Sequence, residues 1–466
     1  MRRISSIIRI FSAAAFILFF AAACKNFLTV QPQGQVIPET VEEFAAIIHN
    51  RIRDIEGGGD EYIVGNMETI LRLEGCSDDL DANIKAGNNL AVYAGALINK
   101  RQSDYRDTWG IIKDCNIVIN EIKERDSERA KSVLAAAYSI KAVCYYNMLR
   151  DFCEAWDEDL ASSQLGLPIV DILDISAKPA RAKLSETANY TLELFDKALE
   201  NKTQEKLFLF TEYVIKAYKA KLLFWMEDWE SLIPLCEDIM KNSGYVLTPL
   251  AEYEKMINSP DKALGEVIIR SHINNSSELD WYFSALKNYI STRPASGKLM
   301  ALFGSEPEKD IRYKACFDSK RFNLKQPEAK VRLSEVVLML AEAYCHSSQE
   351  EKALQLLNDL RKERIEGAAA YTIATLPPLR TGDRIVQDCK GKALTPLLQA
   401  IFDERRKELY LEGDRWFELK RNGCPEWWVI SNGLKYTTKK YMYTAPIYKG
   451  DIELNPELIQ NPGYVK

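Results

Sequence analysis

Glu404, Glu408 and Glu412 recur every four residues beside Arg405, Lys407 and Arg415. Two carboxyls about 5–9.5 Å apart can serve as acid and base on a glycosidic bond, and consecutive helical turns meet that distance. On one exposed helix, however, they have neither a cleft nor two contrasting pKa values. The same spacing supports ion pairs along or between helices, and we adopt that reading. Asp79-x-Asp81-x-Asn83 matches the first ligands of an EF-hand loop and then departs from it. Ile84 replaces the turn glycine, and Leu90 stands where the twelfth-position glutamate belongs. A solvated acidic turn describes Asp78, Asp79 and Asp81 better than a calcium site. H-E-x-x-H, C-x-x-C, G-x-S-x-G and the P-loop are absent, and His49, His272 and His346 are dispersed. The expectation is no catalytic residue, no metal and no cofactor.

Cys24 offers a different chemistry. Arg2, Arg3 and Arg9 precede an apolar stretch from Ile10 to Phe20, then Ala21-Ala22-Ala23, the pattern of a secretory signal peptide. The apolar run ends at Ala23 after about 14 residues, short of the roughly 20 that cross a bilayer. A cysteine after small residues resembles a bacterial lipobox, with Ala21 where leucine is usual. Residues 1–23 are therefore expected to be removed and Cys24 to be lipidated, palmitate being one such chain. Several acyl chains hold a protein firmly on a membrane where one holds it marginally. Lys25 is not the aspartate-type signal for inner-membrane retention, which favours the outer membrane.

The remaining 443 residues carry 58 basic against 67 acidic side chains, a net charge of −9. No Lys/Arg stripe of the kind nucleic acid requires is present, and no second long apolar run follows. With 47% hydrophobic and 27% charged residues the composition is that of an ordinary globular body. Nine cysteines remain from Cys76 to Cys424, an odd number in a chain large enough to fold without disulfides. They read mostly as buried small hydrophobes.

Most of the chain has helical periodicity. The spacing predicts helices over 41–53, 105–123, 130–149, 185–199, 211–226 and 229–241, the last ending at Asn242-Ser-Gly244. Residues 332–345 and 351–364 form the clearest pair. With Ala341, Ala343 and Ala353 where two helices must approach, the pair resembles a tetratricopeptide repeat. Between these lie loop-rich stretches over 54–102, 151–183, 247–330 and 367–394, with a strand-like piece at 266–269. Long loops on a rigid scaffold commonly carry function.

The C-terminal residues 401–423, IFDERRKELYLEGDRWFELKRNG, and 445–464, APIYKGDIELNPELIQNPGY, resemble the end of the SusD/RagB family of nutrient-binding outer-membrane lipoproteins. Tyr448 stands where that family often has a second proline. Cys24 with Phe27-Leu28 and Pro32, Trp109 with Asn116, Leu167-Pro168, Arg332-Leu-Ser-Glu335 with Ala341-Glu342-Ala343, and Asn358 with Arg361 follow in family-like order. The resemblance implies a mainly α, SusD-like helical fold with tetratricopeptide-like pairs and long insertions, one domain over 24–466. It implies a lipid-anchored, surface-exposed protein of the cell outer membrane that captures oligosaccharides, or in some members peptides. The ligand would pass to a SusC-like TonB-dependent transporter; no enzyme activity and no nucleic-acid partner are implied. Aromatic faces and polar groups that could receive a sugar, at the places where the family binds, are Trp281, Tyr282, Tyr289, Arg293, Asp78, Asn83 and Tyr93. Trp427-Trp428 is a second aromatic candidate. A surface-anchored glycosidase is the reading from another class.

Overall fold

The computed structural model describes residues 38–81, 93–172, 174, 176–202, 205–258, 265–272, 293–328, 330–431 and 433–464. Thr40 opens helix α1 (Val41–Gly57) with a reciprocal cap. Its hydroxyl accepts from the Glu43 N–H, and the Glu43 carboxylate accepts from the Thr40 N–H. The chain continues through α2 (Met67–Cys76), α3 (Ile98–Glu121), α4 (Glu128–Phe152), α5 (Leu184–Glu200), α6 (Glu212–Trp225) and α7 (Trp229–Asn242). The middle holds α8 (Leu250–Asn258), strand β1 (Val267–Arg270), α9 (Gly297–Ala301), α10 (Ile311–Cys316) and strand β2 (Lys330–Arg332). Then come α11 (Leu333–His346), α12 (Glu350–Lys362), α13 (Pro396–Glu408), α14 (Arg415–Arg421), the hairpin β3 (Trp427–Ser431) and β4 (Leu434–Thr438), and α15 (Lys449–Leu454). The fold is mainly α, as the periodicity predicts.

Helices adjacent in sequence lie side by side: α3 on α4, α4 on α5, α5 on α6, α6 on α7, and α11 on α12. Small residues permit the approach, since Ala136, Ala137 and Ala142 of α4, and Ala341, Ala343 and Ala353 of the α11–α12 pair, are fully buried. The pair over α11 and α12 thus has the tetratricopeptide-like form expected of it. A large core runs from Phe44 to Ile447. A second, smaller core gathers Leu80, Tyr253, Val267, Ala295, Leu299, Phe303, Phe317 and Tyr410. β1 and β2 pair antiparallel, with a bulge between Val267 and Ile269, and deliver Arg332 to the start of α11.

Two stretches read as loop-rich contain regular structure. Residues 54–102 include α2, and 247–330 include α8, β1, α9 and α10. These helices are too short to show several turns of periodicity, and tertiary contacts stabilise them. Helix α3 also starts two turns before the expected residue 105. The nine cysteines from Cys76 to Cys424 are all free, and seven are buried. Among the described residues no helix is long and apolar enough to cross a membrane.

Candidate functional site

Leu80 and Ala295 form an isolated antiparallel bridge. It is extended by Asp81 N donating to Pro294 O at 2.9 Å and Ser296 N to Asp79 O at 2.7 Å. This bridge brings together the two regions that carry the ligand-binding candidates, one near Asp78 and one ending at Arg293. Leu80 and Ala295 point into the smaller core, so the join rests on a packed base. Arg321 Nη1 clamps it from the side, 2.8 Å from both Asp81 Oδ2 and Ala295 O. Asn323 adds a second tie by donating to Arg293 O at 3.2 Å and accepting from the Tyr410 hydroxyl.

The candidates themselves are placed unevenly. Cys24, Asn83, Trp281, Tyr282 and Tyr289 lie outside the described residues. The Asp78 side chain is buried, its carboxylate 2.8 Å from Arg415 Nε and 3.4 Å from Arg406 Nη2. Burial opposes its ionisation, but the two guanidiniums outweigh it and hold the carboxyl well below the usual range. Asp79 pairs with Arg406 at 2.6 Å and Asp81 with Arg321 at 2.8 Å. The acidic turn is therefore not a solvated one at Asp78 and Asp79, and each of the three carboxylates already has an arginine as its cation. Asp78 thus ties the chain just before Leu80 to α13 and α14 through Arg406 and Arg415. Arg293 is buried at the root of its segment. Tyr93 is set apart from this frame, half-buried with its ring 4.6 Å from Tyr436 of β4. The Trp427-Trp428 pair is split by strand alternation: Trp427 is 5% exposed and Trp428 is 52% exposed, with the Lys435 ammonium 5.0 Å from the Trp428 ring.

The glutamate series corrects the picture of an exposed helix. Glu404 and Glu408 on α13 are buried, and so is the side chain of Glu412 just beyond it, which is 3% exposed. Glu408 meets Arg332 at 2.7 Å, Arg364 at 3.0 Å and Arg312 at 3.3 Å. Glu412 meets Lys325 at 2.6 Å and Arg332 at 2.9 Å, and Glu404 meets Arg312 at 2.7 Å. Glu266 closes the lattice against Arg332 and Arg364. Burial pushes these carboxyls up, but the surrounding cations prevail and hold Glu404 and Glu412 at about 2 and Glu408 well below its ordinary value. A general acid needs the opposite, a raised pKa beside open space. The ion-pair reading of these residues holds, between elements far apart in sequence. Gly413 makes the sharp turn after Glu412 with φ 77°, where a Cβ would also lie 2.8 Å from Leu73.

Glu74 behaves differently. Its carboxyl accepts from the Gly413 N–H at 3.1 Å, yet burial, reinforced by the Asp79 charge, raises it to about 8. The folded protein keeps that proton at neutral pH, whereas the unfolded chain loses it near the ordinary value. Stability from this group is complete below about pH 4.5 and is lost as pH rises toward 8, at up to about 1.4 kcal/mol per pH unit. Glu74→Gln should remove this loss. Urea unfolding at pH 6 and pH 8.5 should show a smaller drop in the variant than in the parent; equal drops would refute the assignment.

One groove was not legible in the sequence. Trp156 lies in it with Glu154, Asp157, Glu158, Gln164 and Gln387, enclosing about 450 Å³. A neighbouring hollow of about 710 Å³ shares Trp156 and adds Trp229. A more enclosed cavity beside Arg72, Asp104 and Glu412 has only about 110 Å³, below the roughly 300–1,000 Å³ of usual ligand sites. Trp156 stands alone in a polar stretch, so only the fold reveals its company.

The C-terminal residues 309–464 match the model of the SusD family. Over 96% of this chain and 98% of its own length, the SusD-like protein P25 of Formosa agariphila is 19% identical. A SusD superfamily protein from Bacteroides thetaiotaomicron superposes with a TM-score of 0.69 at 19% identity, covering 91% of this chain and 100% of that one. A SusD-like carbohydrate-binding protein from Bacteroides vulgatus gives 0.67 at 17% identity, covering 92% and 100%. Glu404, Glu408 and Glu412 of the buried ion-pair lattice lie within the stretch that matches the SusD family model, and the helical frame over the whole described chain is similar to the fold of these SusD superfamily structures.

Proposed function

We propose that the protein captures oligosaccharides at the outer surface of a bacterial cell, held there by lipid on Cys24, and passes them to a SusC-like TonB-dependent transporter. The observation that carries this reading is the braced junction of Leu80 with Ala295. It joins the chain just before residues 82–92 to the chain just after residues 273–292, two stretches whose sequences supply amide and aromatic side chains. Sugar recognition needs that combination: flat rings against pyranose C–H faces, and polar groups for the hydroxyls. The carbohydrate-binding description of the Bacteroides vulgatus protein with the same fold supports it. Catalysis is not part of the proposal, because the best-spaced carboxylates are locked inside an ion-pair lattice.

Calorimetry of the full chain against separate pools of oligosaccharides and of peptides tests the ligand class. Heat with a glycan pool and none with peptides is expected; the reverse would replace the oligosaccharide by a peptide. Membrane attachment and partnership are read together in one fractionation. The chain should appear in outer membranes and co-purify with a large β-barrel transporter under mild detergent, while Cys24→Ser releases it to the soluble fraction. Persistent failure to recover a barrel would remove the transporter from the proposal.

A further inference from the structure

Glu342 and His346 lie one turn apart on α11, facing the loop that carries Asp388 and Cys389. His346 Nε2 is 3.7 Å from Cys389 Sγ and 3.9 Å from Glu342 Oε1. One donor atom from each of the three lies within 4.8 Å of the others. Ligands at about 2.0–2.3 Å around a tetrahedral Zn²⁺ are themselves about 3.3–3.6 Å apart. Closing this trio on an ion thus takes movements of a few tenths of an ångström to about 1 Å.

The surroundings favour a cation for independent reasons. His346 turns Nε2 toward the other two donors and Nδ1 toward Asp388 Oδ2, 4.0 Å away. A carboxylate hydrogen-bonded behind the imidazole orients metal-bound histidines, and Asp388 would have to close by about 1 Å to take that place. Trp229 stacks on the ring at 4.7 Å and 8°, which restrains its swing. The Glu342 side chain is fully buried; Oε1 accepts from Arg421 Nη2 at 2.6 Å, while Oε2 has no hydrogen-bond partner. Buried acceptors without a donor are rare and ask for an explanation. Cys389 is half-buried and lines the Trp156 groove, so a fourth position is within reach of water. Arg421 is opposed by Glu342, Asp388 and a metal-bound thiolate, while the neighbouring Lys390 is paired with Glu227 at 2.9 Å.

We propose that Glu342, His346 and Cys389 form a divalent transition-metal site, with Zn²⁺ the first choice and its fourth position open to the groove. A thiolate with an imidazole selects Zn²⁺ over Ca²⁺ or Mg²⁺, which prefer oxygen ligands. The ion would tie α11 to the loop at Asp388–Cys389 and so stiffen the wall beside Trp156. Sequence inspection passes over it because the cysteine is 43 residues from the histidine in a chain with no paired metal motif.

Titrating the purified full chain with Co²⁺ alone, in a non-thiol reductant, tests the site. One ion per chain should produce a thiolate-to-cobalt band in the near ultraviolet and tetrahedral bands in the visible, both bleached by one equivalent of Zn²⁺. Cys389→Ser should abolish the near-ultraviolet band, and His346→Ala should weaken binding at least tenfold. Circular dichroism of each variant checks its fold, and Cys389→Ala serves if the serine variant unfolds. Absence of the charge-transfer band in the parent, or a band that survives both Cys389 substitutions in folded protein, would overturn the proposal.

Discussion

Glu408→Ala should destabilise the protein by about 3–5 kcal/mol, enough to lower the urea midpoint sharply or to prevent folding. Arg312, Arg332 and Arg364 all direct guanidinium nitrogens at this one carboxylate, and all four side chains are fully buried. Removing the anion leaves cations in a region that water does not reach. Arg332 and Arg364 retain Glu266, and Arg312 retains Asp310 and Glu404, so the loss is partly cushioned. Glu408→Gln preserves the shape and separates loss of charge from loss of volume. The Lys449–Glu453 pair makes the control, since its side chains are 64% and 65% exposed. Exposed pairs of this kind contribute little, so Lys449→Ala should leave the midpoint in place. If Glu408→Ala unfolds at the same urea concentration as Lys449→Ala, the lattice does not stabilise the fold.

Trp281→Ala should weaken oligosaccharide binding about ten- to a hundredfold, or about 1.4–2.8 kcal/mol, while the melting temperature stays unchanged. An indole covers one face of a pyranose ring and excludes water from it, and alanine supplies neither area nor a face. Tyr282 offers a second ring with a hydroxyl and should show a smaller loss. The expectation rests on the joined root near Arg293, which is anchored by the Leu80–Ala295 bridge and Arg321. Unchanged affinity with an intact fold would remove Trp281 from the site, and a large fall in melting temperature would place it in the core instead.

The contrast between these two experiments follows from how each residue type shows itself in a sequence. Helix α1 begins at Val41 as its periodicity predicts, and Thr40 and Glu43 cap it locally. The α11–α12 pair was legible through its small residues, which mark close approach. Helices α2, α8, α9 and α10 were not, because each is too short to establish a period and depends on what it packs against. The glutamates showed their four-residue spacing but not their burial. A charged helix face ordinarily means a solvated one, and here the cations come from elements up to 96 residues away. Asp78 and Asp79 misled for the same reason, since Arg406 and Arg415 arrive from the far end of the chain.

The sequence by itself determined the mainly helical class, most of the longer helices and the resemblance to the SusD family. All of these are written in contiguous residues: periodicity, caps, small side chains and ordered motifs. Only the tertiary structure decided that the C-terminal glutamates are structural, that Leu80 meets Ala295, and that Trp156 lines a groove. It alone brought Glu342, His346 and Cys389 to one point. Those facts depend on distances between residues tens to hundreds of positions apart, where desolvation and charge pairing act through space and leave no local pattern to read.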